Sequence, residues 1–516
     1  MRALLGLTLA VGLQAQVYTP TVRLEGQPDS SSLSRLADGI FAKYSAHSER
    51  ERAEAIWRFF LTDGRFVEPG FWYHIAGWAY EEPAGEVLDP LKLLNSYGFG
   101  LCYQIAPLLE SVWKAGGFRD ARVWFLTGHT VAEVYYDGGY HYFDSDMMGY
   151  NRLATGSAAS VEQIEKDGSI IIGKLRGKRE VDERSASRPW YPADVRADAI
   201  GDLAELFTTT KDNWLFPSER APQGHSMDFV LRPGERLIRY FAPEHEGLYY
   251  LPYKRTGDSW SEFPREIAQY QIRTGDGPRS QKDNRSWATG RLEYEPPITS
   301  DRVQVIPVRS PYVIIDAGFS LELELTSAEE SVQLETSADG GLTYVVAGRR
   351  PGPYRGAWRA DSGTLTRSEH GKRTAVSGSY GYLLRVTRTG GSSIRSLRLS
   401  TVVQLNPRTL PALTAGRNRI LYTSGPERLR VDLPLEPSKA CAQAAKCESV
   451  VFESDGSQGY WRASDREDGE LIFHVSGHEL ESLRAGGRFL DLSAGLAPDK
   501  YTAEVRKIRP VPARSA

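Results

Sequence analysis

An excess of charge of either sign is what this chain most clearly lacks. Its 63 basic and 66 acidic residues leave a net charge of −3. They are interspersed, so neither a nucleic acid nor an anionic membrane surface is implied as a partner. Cysteine is scarce, at three in 516 residues. There is no Cys-x-x-Cys pair and no His-Glu-x-x-His segment, and the nine histidines are scattered, which removes the usual metal constellations. No glycine-rich loop follows a strand in the manner of a nucleotide site. A mechanism with neither metal nor cofactor is the economical expectation. Long hydrophobic runs are missing too. The stretch from Leu4 to Leu13 is too short to span a bilayer, and no later segment approaches that length.

Aromatic residues, by contrast, are plentiful, with 11 Trp and 26 Tyr, as expected of β-rich exported chains that bind extended ligands. Residues 1–16 read as a secretory signal peptide: Arg2 supplies the positive start, Leu4 to Leu13 the apolar centre and Gln14-Ala15-Gln16 a small-residue exit. A secreted or periplasmic destination follows. Cys441 and Cys447 lie six apart and can close a small disulfide, which leaves Cys102 as the odd thiol of an exported chain and a candidate reactive group. The length exceeds what one core fills. The expected division is a catalytic domain over 17–215, a β-rich domain over 216–305, a β-sandwich over 306–405 and a C-terminal β-rich domain over 406–516.

Cys102 stands where the glycine-rich stretch Tyr97-Gly98-Phe99-Gly100-Leu101 hands over to a helix. Ile105, Leu108, Leu109 and Val112 recur at helical spacing and Gly116-Gly117 stops the run. A thiol in the first turn of a helix meets unpaired backbone N–H groups and the positive end of the helix dipole, and both favour thiolate. Ala121 to Leu126 reads as a buried strand. His129 opens another, Asp137-Gly138-Gly139 turns the chain, and Tyr140 to Asp144 returns. His129 and Asp144 are then expected to be cross-strand neighbours, a nucleophile–base–orienter arrangement with Cys102. Asp146 is a rival to Asp144 and His141 to His129. His141, set among aromatics inside a strand, suits packing or substrate contact better.

Gly100-x-Cys102, Ala106, Leu109, Gly117 and Ala121-Arg122-Val123, followed by His129, Glu133-Val134, Asp137-Gly138 and Asp144, resemble the cysteine helix, strand and histidine–aspartate hairpin of the transglutaminase-like superfamily. The resemblance covers roughly 45–190, with a helix from Arg52 to Leu61 in the expected place. It implies an α+β, papain-type N-terminal domain ahead of the all-β sandwich-like domains. It also implies acyl transfer from an amide through a Cys102 thioester to water or an amine. The chain departs from the family where many members carry Trp: Val131 stands two residues after the histidine, and Tyr140 and His141 occupy the return strand. The substrate is therefore left open among peptide, protein and polysaccharide.

An upstream group is needed to help the Cys102 N–H hold a developing oxyanion, and Asn95 and Tyr97 are candidates. The dense aromatic stretch from Phe71 to Tyr80, with Trp72, is either core filling or a cleft wall on which a sugar or peptide stacks. Tyr103, Tyr140, His141 and Tyr142 are further cleft candidates. A polysaccharide-binding or lyase-type reading uses Tyr and His as base with no need of a thiolate. A third is a catalytically silent adhesion scaffold.

Elsewhere, helices are expected over 32–44, 161–167 and 193–207, and a strand at Ile170-Ile171-Ile172. Short alternating strands follow from about residue 215. His225 reads as a surface turn residue and His474 as a strand-face residue. Ser337-Ala338-Asp339-Gly340-Gly341-Leu342-Thr343-Tyr344 resembles the Asp-box hairpin of carbohydrate-associated β-domains, a turn device in which Asp and Ser side chains bond the backbone.

Overall fold

In a computed structural model of the chain the described residues are 16–62, 81–82, 85–98, 102–126, 129–145, 149–172, 179–181, 214–215, 224–240, 250, 255–256, 259–260, 288–368, 371–411, 413, 415–425, 440–443, 446–448, 450–454, 459–463 and 470–472. The segment 1–15, Trp72 with the 71–80 stretch, Asp146, the 193–207 helix and His474 lie outside them. The described residues are α+β and mostly β, with several antiparallel sheets. Those before residue 432 form one compact unit and those after 431 a second.

Helix α1 (Leu33–Tyr44) begins where the Ser32 hydroxyl accepts the Arg35 N–H. Helix α2 (Glu49–Thr62) starts with a reciprocal cap: Ser48 Oγ accepts the Glu51 N–H and the Glu51 carboxylate accepts the N–H groups of Ser48 and His47. Its Ala55, Ile56, Phe59 and Phe60 turn inward, joined by Trp57. Helix α3 (Pro90–Lys92), capped by Asp89, continues as a π-helical turn over Leu93–Tyr97 and ends at Gly98 with φ +75°. Helix α4 (Cys102–Ala115) then buries Ile105, Leu108, Leu109, Val112 and Trp113.

These helices pack on strands β1 (Ala121–Leu126), β2 (His129–Tyr136) and β3 (Gly139–Phe143), with β4 (Trp214–Leu215) on the β1 edge. Asp137 and Gly138 both take positive φ, the two-residue turn that suits a right-twisted hairpin. Val123, Val131, Val134 and Phe143 share one core with α1, α2 and α4. Each such fully buried aliphatic or Phe side chain contributes about 1.5–3 kcal/mol relative to exposure. Helix α5 (Val161–Lys166) carries a full capping box between Ser160 and Gln163. The expected strand at Ile170–Ile172 is instead a helical turn, Ser169–Ile172. Asp167 accepts the Ser169 N–H on its side chain and the Ile170 N–H on its carbonyl, and this local capping outweighs the β preference of the isoleucines.

Two sheets enclose the second core. One runs β5 (Arg236–Arg239), β6 (Ala288–Tyr294), β13 (Ser393–Leu405), β8 (Ile314–Leu325), β11 (Tyr354–Asp361). The other runs β7 (Val303–Arg309), β12 (Gly381–Thr389), β9 (Ser331–Ser337), β10 (Val345–Pro351). Leu292, Phe319, Leu321 and Leu397 from the first meet Ile306, Val332, Leu334 and Leu384 from the second. The sandwich thus departs from the expected 306–405 span. Strands β5 and β6, assigned by sequence to a separate domain, complete its larger sheet, and the 305/306 boundary falls within β7. Thr21–Leu24, placed in the catalytic domain, pairs with Ile420–Thr423. At the Asp-box-like hairpin Asp339 accepts the Thr343 N–H and hydroxyl, and Ser337 Oγ accepts the Gly341 N–H. In the second unit a disulfide joins Cys441 to Cys447.

Candidate active site

The register of the β2–β3 hairpin builds the site. Ala132 pairs with Phe143, so Asp144, one step further, comes level with Val131 and stands diagonal to His129 rather than directly opposite it. A diagonal pair is within reach of long side chains, and His129 Nε2 lies 2.9 Å from Asp144 Oδ2. With Nε2 on the carboxylate, Nδ1 is the nitrogen left for Cys102, whose sulfur lies near enough to act on the charge of the ring. All three groups are buried: Cys102 is 9% exposed, His129 2% and Asp144 1%. Burial opposes charge on His129, but the Asp144 carboxylate and the Cys102 sulfur outweigh it and hold the imidazole well above the ordinary histidine range.

Asp144 is itself fixed through its backbone. Its N–H donates to the Gly149 carbonyl, and its own carbonyl accepts the Gly149 N–H at 2.9 Å and the Trp57 indole N–H at 3.0 Å. Trp57 packs edge-on against Tyr150 and close to Phe143. It was not among the residues read from the sequence; an inward-facing Trp on an amphipathic helix carries no sign that its N–H reaches the Asp144 carbonyl. Ser145 is also new. It lines a tight crevice with Cys102, Ile105, Val131, Phe143 and Asp144, and its buried hydroxyl has no hydrogen-bond partner among the described residues.

No family model, curated protein or solved structure matches this chain. The site therefore stands on its own geometry.

The other expected site residues are committed elsewhere. Asn95 spends both amide hydrogens on the carbonyls of Ser30 and Leu91 and accepts from the Ser30 hydroxyl, which leaves no side-chain donor for an oxyanion. Tyr97 donates its only proton to Glu82 at 2.8 Å. Burial first, then the Glu82 carboxylate, holds that phenol well above the ordinary tyrosine range. Tyr103 is half-buried, with its hydroxyl accepting from Gln104. Tyr140 donates to Asp120 and lies under the Arg122 guanidinium, and Tyr142 donates to Asn151. His141 has both ring nitrogens against carbonyl oxygens, of Ala158 at 2.7 Å and Tyr136 at 3.1 Å, so it has no lone pair placed to act as a base. His225 is docked rather than a surface residue. Its N–H meets Asp89, its Nε2 meets the Pro311 carbonyl and its ring lies 4.5 Å from that of Tyr380.

Among the described residues no group of three or more His, Cys, Asp or Glu side chains is placed to hold a metal, and no helix is long and apolar enough to cross a membrane. The chemistry available to Cys102, His129 and Asp144 is proton transfer and nucleophilic attack.

Proposed function

We propose that the chain is an exported cysteine enzyme of transglutaminase-like type, which cleaves an amide through a Cys102 thioester. The observation that carries this reading is the orientation of one ring. The Asp144 carboxylate accepts from His129 Nε2, so Nδ1 is the nitrogen left to exchange a proton with Cys102. This is the base–orienter relation of the catalytic triad with the two ring nitrogens exchanged relative to the serine version.

In the forward step the Cys102 proton passes to His129 Nδ1 and the sulfur attacks the amide carbon. The negative charge that forms on oxygen is met by backbone N–H groups at the start of α4. The C–N bond then breaks as the imidazolium returns the proton to the leaving amine. Water, or an amine, attacks the thioester; His129 takes the incoming proton and returns it to sulfur. Water is the preferred acceptor because nothing in the site singles out an amine. The Cys441–Cys447 disulfide supports an exported location, since such bonds persist in oxidising compartments.

The test is the pH dependence of Cys102 alkylation by iodoacetamide, read by mass spectrometry. An ordinary thiol, with a pKa of about 8.5, reacts little at pH ~6. Wild type is expected to alkylate readily there and His129→Ala to lose that reactivity. A wild-type thiol inert across the range sinks the proposal, and polysaccharide cleavage then becomes the assay to run.

A further inference from the structure

The π-helical turn before Cys102 ends in carbonyls that no following helical residue can satisfy. The Leu93 carbonyl takes the Gly98 N–H at 2.7 Å. The carbonyls of Leu94, Asn95, Ser96 and Gly98 are instead met by donors that lie more than 300 residues later, just where β13 leaves the sandwich. Asn406 gives its side-chain amide to Leu94 at 2.7 Å and its backbone N–H to Asn95 at 2.7 Å. Gln404 reaches Ser96 at 3.4 Å and the Arg408 guanidinium reaches Gly98 at 2.9 Å. The Ser96 hydroxyl accepts the Val313 N–H at 3.1 Å. Asn406 is held in turn, because its Oδ1 accepts the Arg408 N–H at 3.0 Å.

Contact at this seam is close. A Cβ added to Gly98 would lie 2.6 Å from the Asn406 side chain. A second latch grips the same turn: Tyr97 and Tyr380, the latter from the sandwich, both donate to Glu82 Oε1, while Lys92 pairs with Oε2 at 2.5 Å. Only three residues separate Gly98 from Cys102. The cysteine helix is held by its own apolar core against the β1–β3 sheet, and the turn just before it by polar contacts to the sandwich.

We infer that the β-sandwich is a working part of the cysteine site, and that Asn406 and Arg408 are positioning residues that set the Gly98 turn and hence the place of Cys102 against His129. This rests on reading Cys102 as the nucleophile. A thiol and an imidazole on different elements act on each other only at close range, so slack in the turn is felt directly as lost reactivity of the thiol.

The experiment compares the full-length wild type with Asn406→Ala, Arg408→Ala and Tyr382→Phe. The last removes a hydroxyl bonded to Thr401 inside the sandwich without touching the turn. Two readouts are taken: the pH profile of Cys102 alkylation by iodoacetamide, and amide hydrogen exchange across residues 102–105. Asn406→Ala is expected to slow alkylation at pH ~6 about tenfold, since a small misplacement of a reacting group costs one to two orders of magnitude in rate. Exchange in the first turn of α4 should quicken, and Tyr382→Phe should match wild type in both. Arg408 is partly exposed, so Arg408→Ala, with a smaller shift in the same direction, carries the test if Asn406→Ala does not fold. Folded Asn406 and Arg408 variants with wild-type profiles and exchange overturn the inference. If the wild-type thiol is itself inert, the proposed chemistry falls, and exchange alone decides positioning: faster in the variants supports it, unchanged refutes it.

Discussion

His129 and His141 stand on facing strands of one hairpin, both buried, yet they are different devices. His129 meets a carboxylate through one nitrogen and has a thiol close enough to act on its charge. His141 meets two backbone carbonyls and stacks on the Tyr136 ring at 3.9 Å. Burial is common to both, so burial does not mark the one proposed as base. A carbonyl can only accept, so it fixes a ring without offering it anything to exchange protons with. A carboxylate and a thiol on the two sides of a ring leave a proton that can move.

The contrast can be broken most forcefully by truncating each ring. His129→Ala is expected to lower amide turnover on the order of 10⁴-fold or more, as loss of a triad base does. His141→Ala is expected to leave turnover little changed while lowering the free energy of unfolding by about 1–3 kcal/mol through lost buried hydrogen bonds. Equal losses of turnover in the two would erase the distinction.

A subtler difference lies in pH. His129 holds its proton more tightly in the folded chain than in the unfolded one. Its contribution to stability is therefore complete below about pH 6.5, the ordinary histidine value, and fades as the pH rises through the raised folded value. The gap in unfolding free energy between wild type and His129→Ala, followed by denaturant titration, should be widest at the acid end and narrow above neutrality. A gap that widens with pH would contradict the ion pair.

The smallest effect belongs to Trp57→Phe, which keeps ring packing but removes the N–H bonded to the Asp144 carbonyl. A cost of about 0.5–1.5 kcal/mol in stability is expected, with a severalfold fall in turnover.

The local features of the site were legible in the sequence. Apolar spacing after Cys102 marks α4, and the Asp137-Gly138 pair marks a tight hairpin whose register then brings His129 and Asp144 together. What escaped was non-local. Asn95 and Tyr97 have the right chemistry for oxyanion donors, and nothing nearby in the chain shows that Ser30, Leu91 and Glu82 have already taken their hydrogens. Strand β6 looked like part of another domain because its partner β13 lies over a hundred residues further on, and β5 joins the sheet only through β6. Ile170–Ile172 failed for the opposite reason: a local cap at Asp167 decided a segment that composition assigned to a strand.

The pairing of Thr21–Leu24 with Ile420–Thr423 joins side chains 402 residues apart in sequence. Its consequence lies in the timing of assembly. Closing so long a loop costs entropy before any contact repays it, and pairings of this range form slowly. While the chain is being made, the early helices can collapse on their own core. The turn that leads to the thiol must wait for donors at 404–408, and the strand at 21–24 for a partner later still. The proposed site is thus expected to assemble late and all at once, after nearly the whole of the first unit has been synthesised.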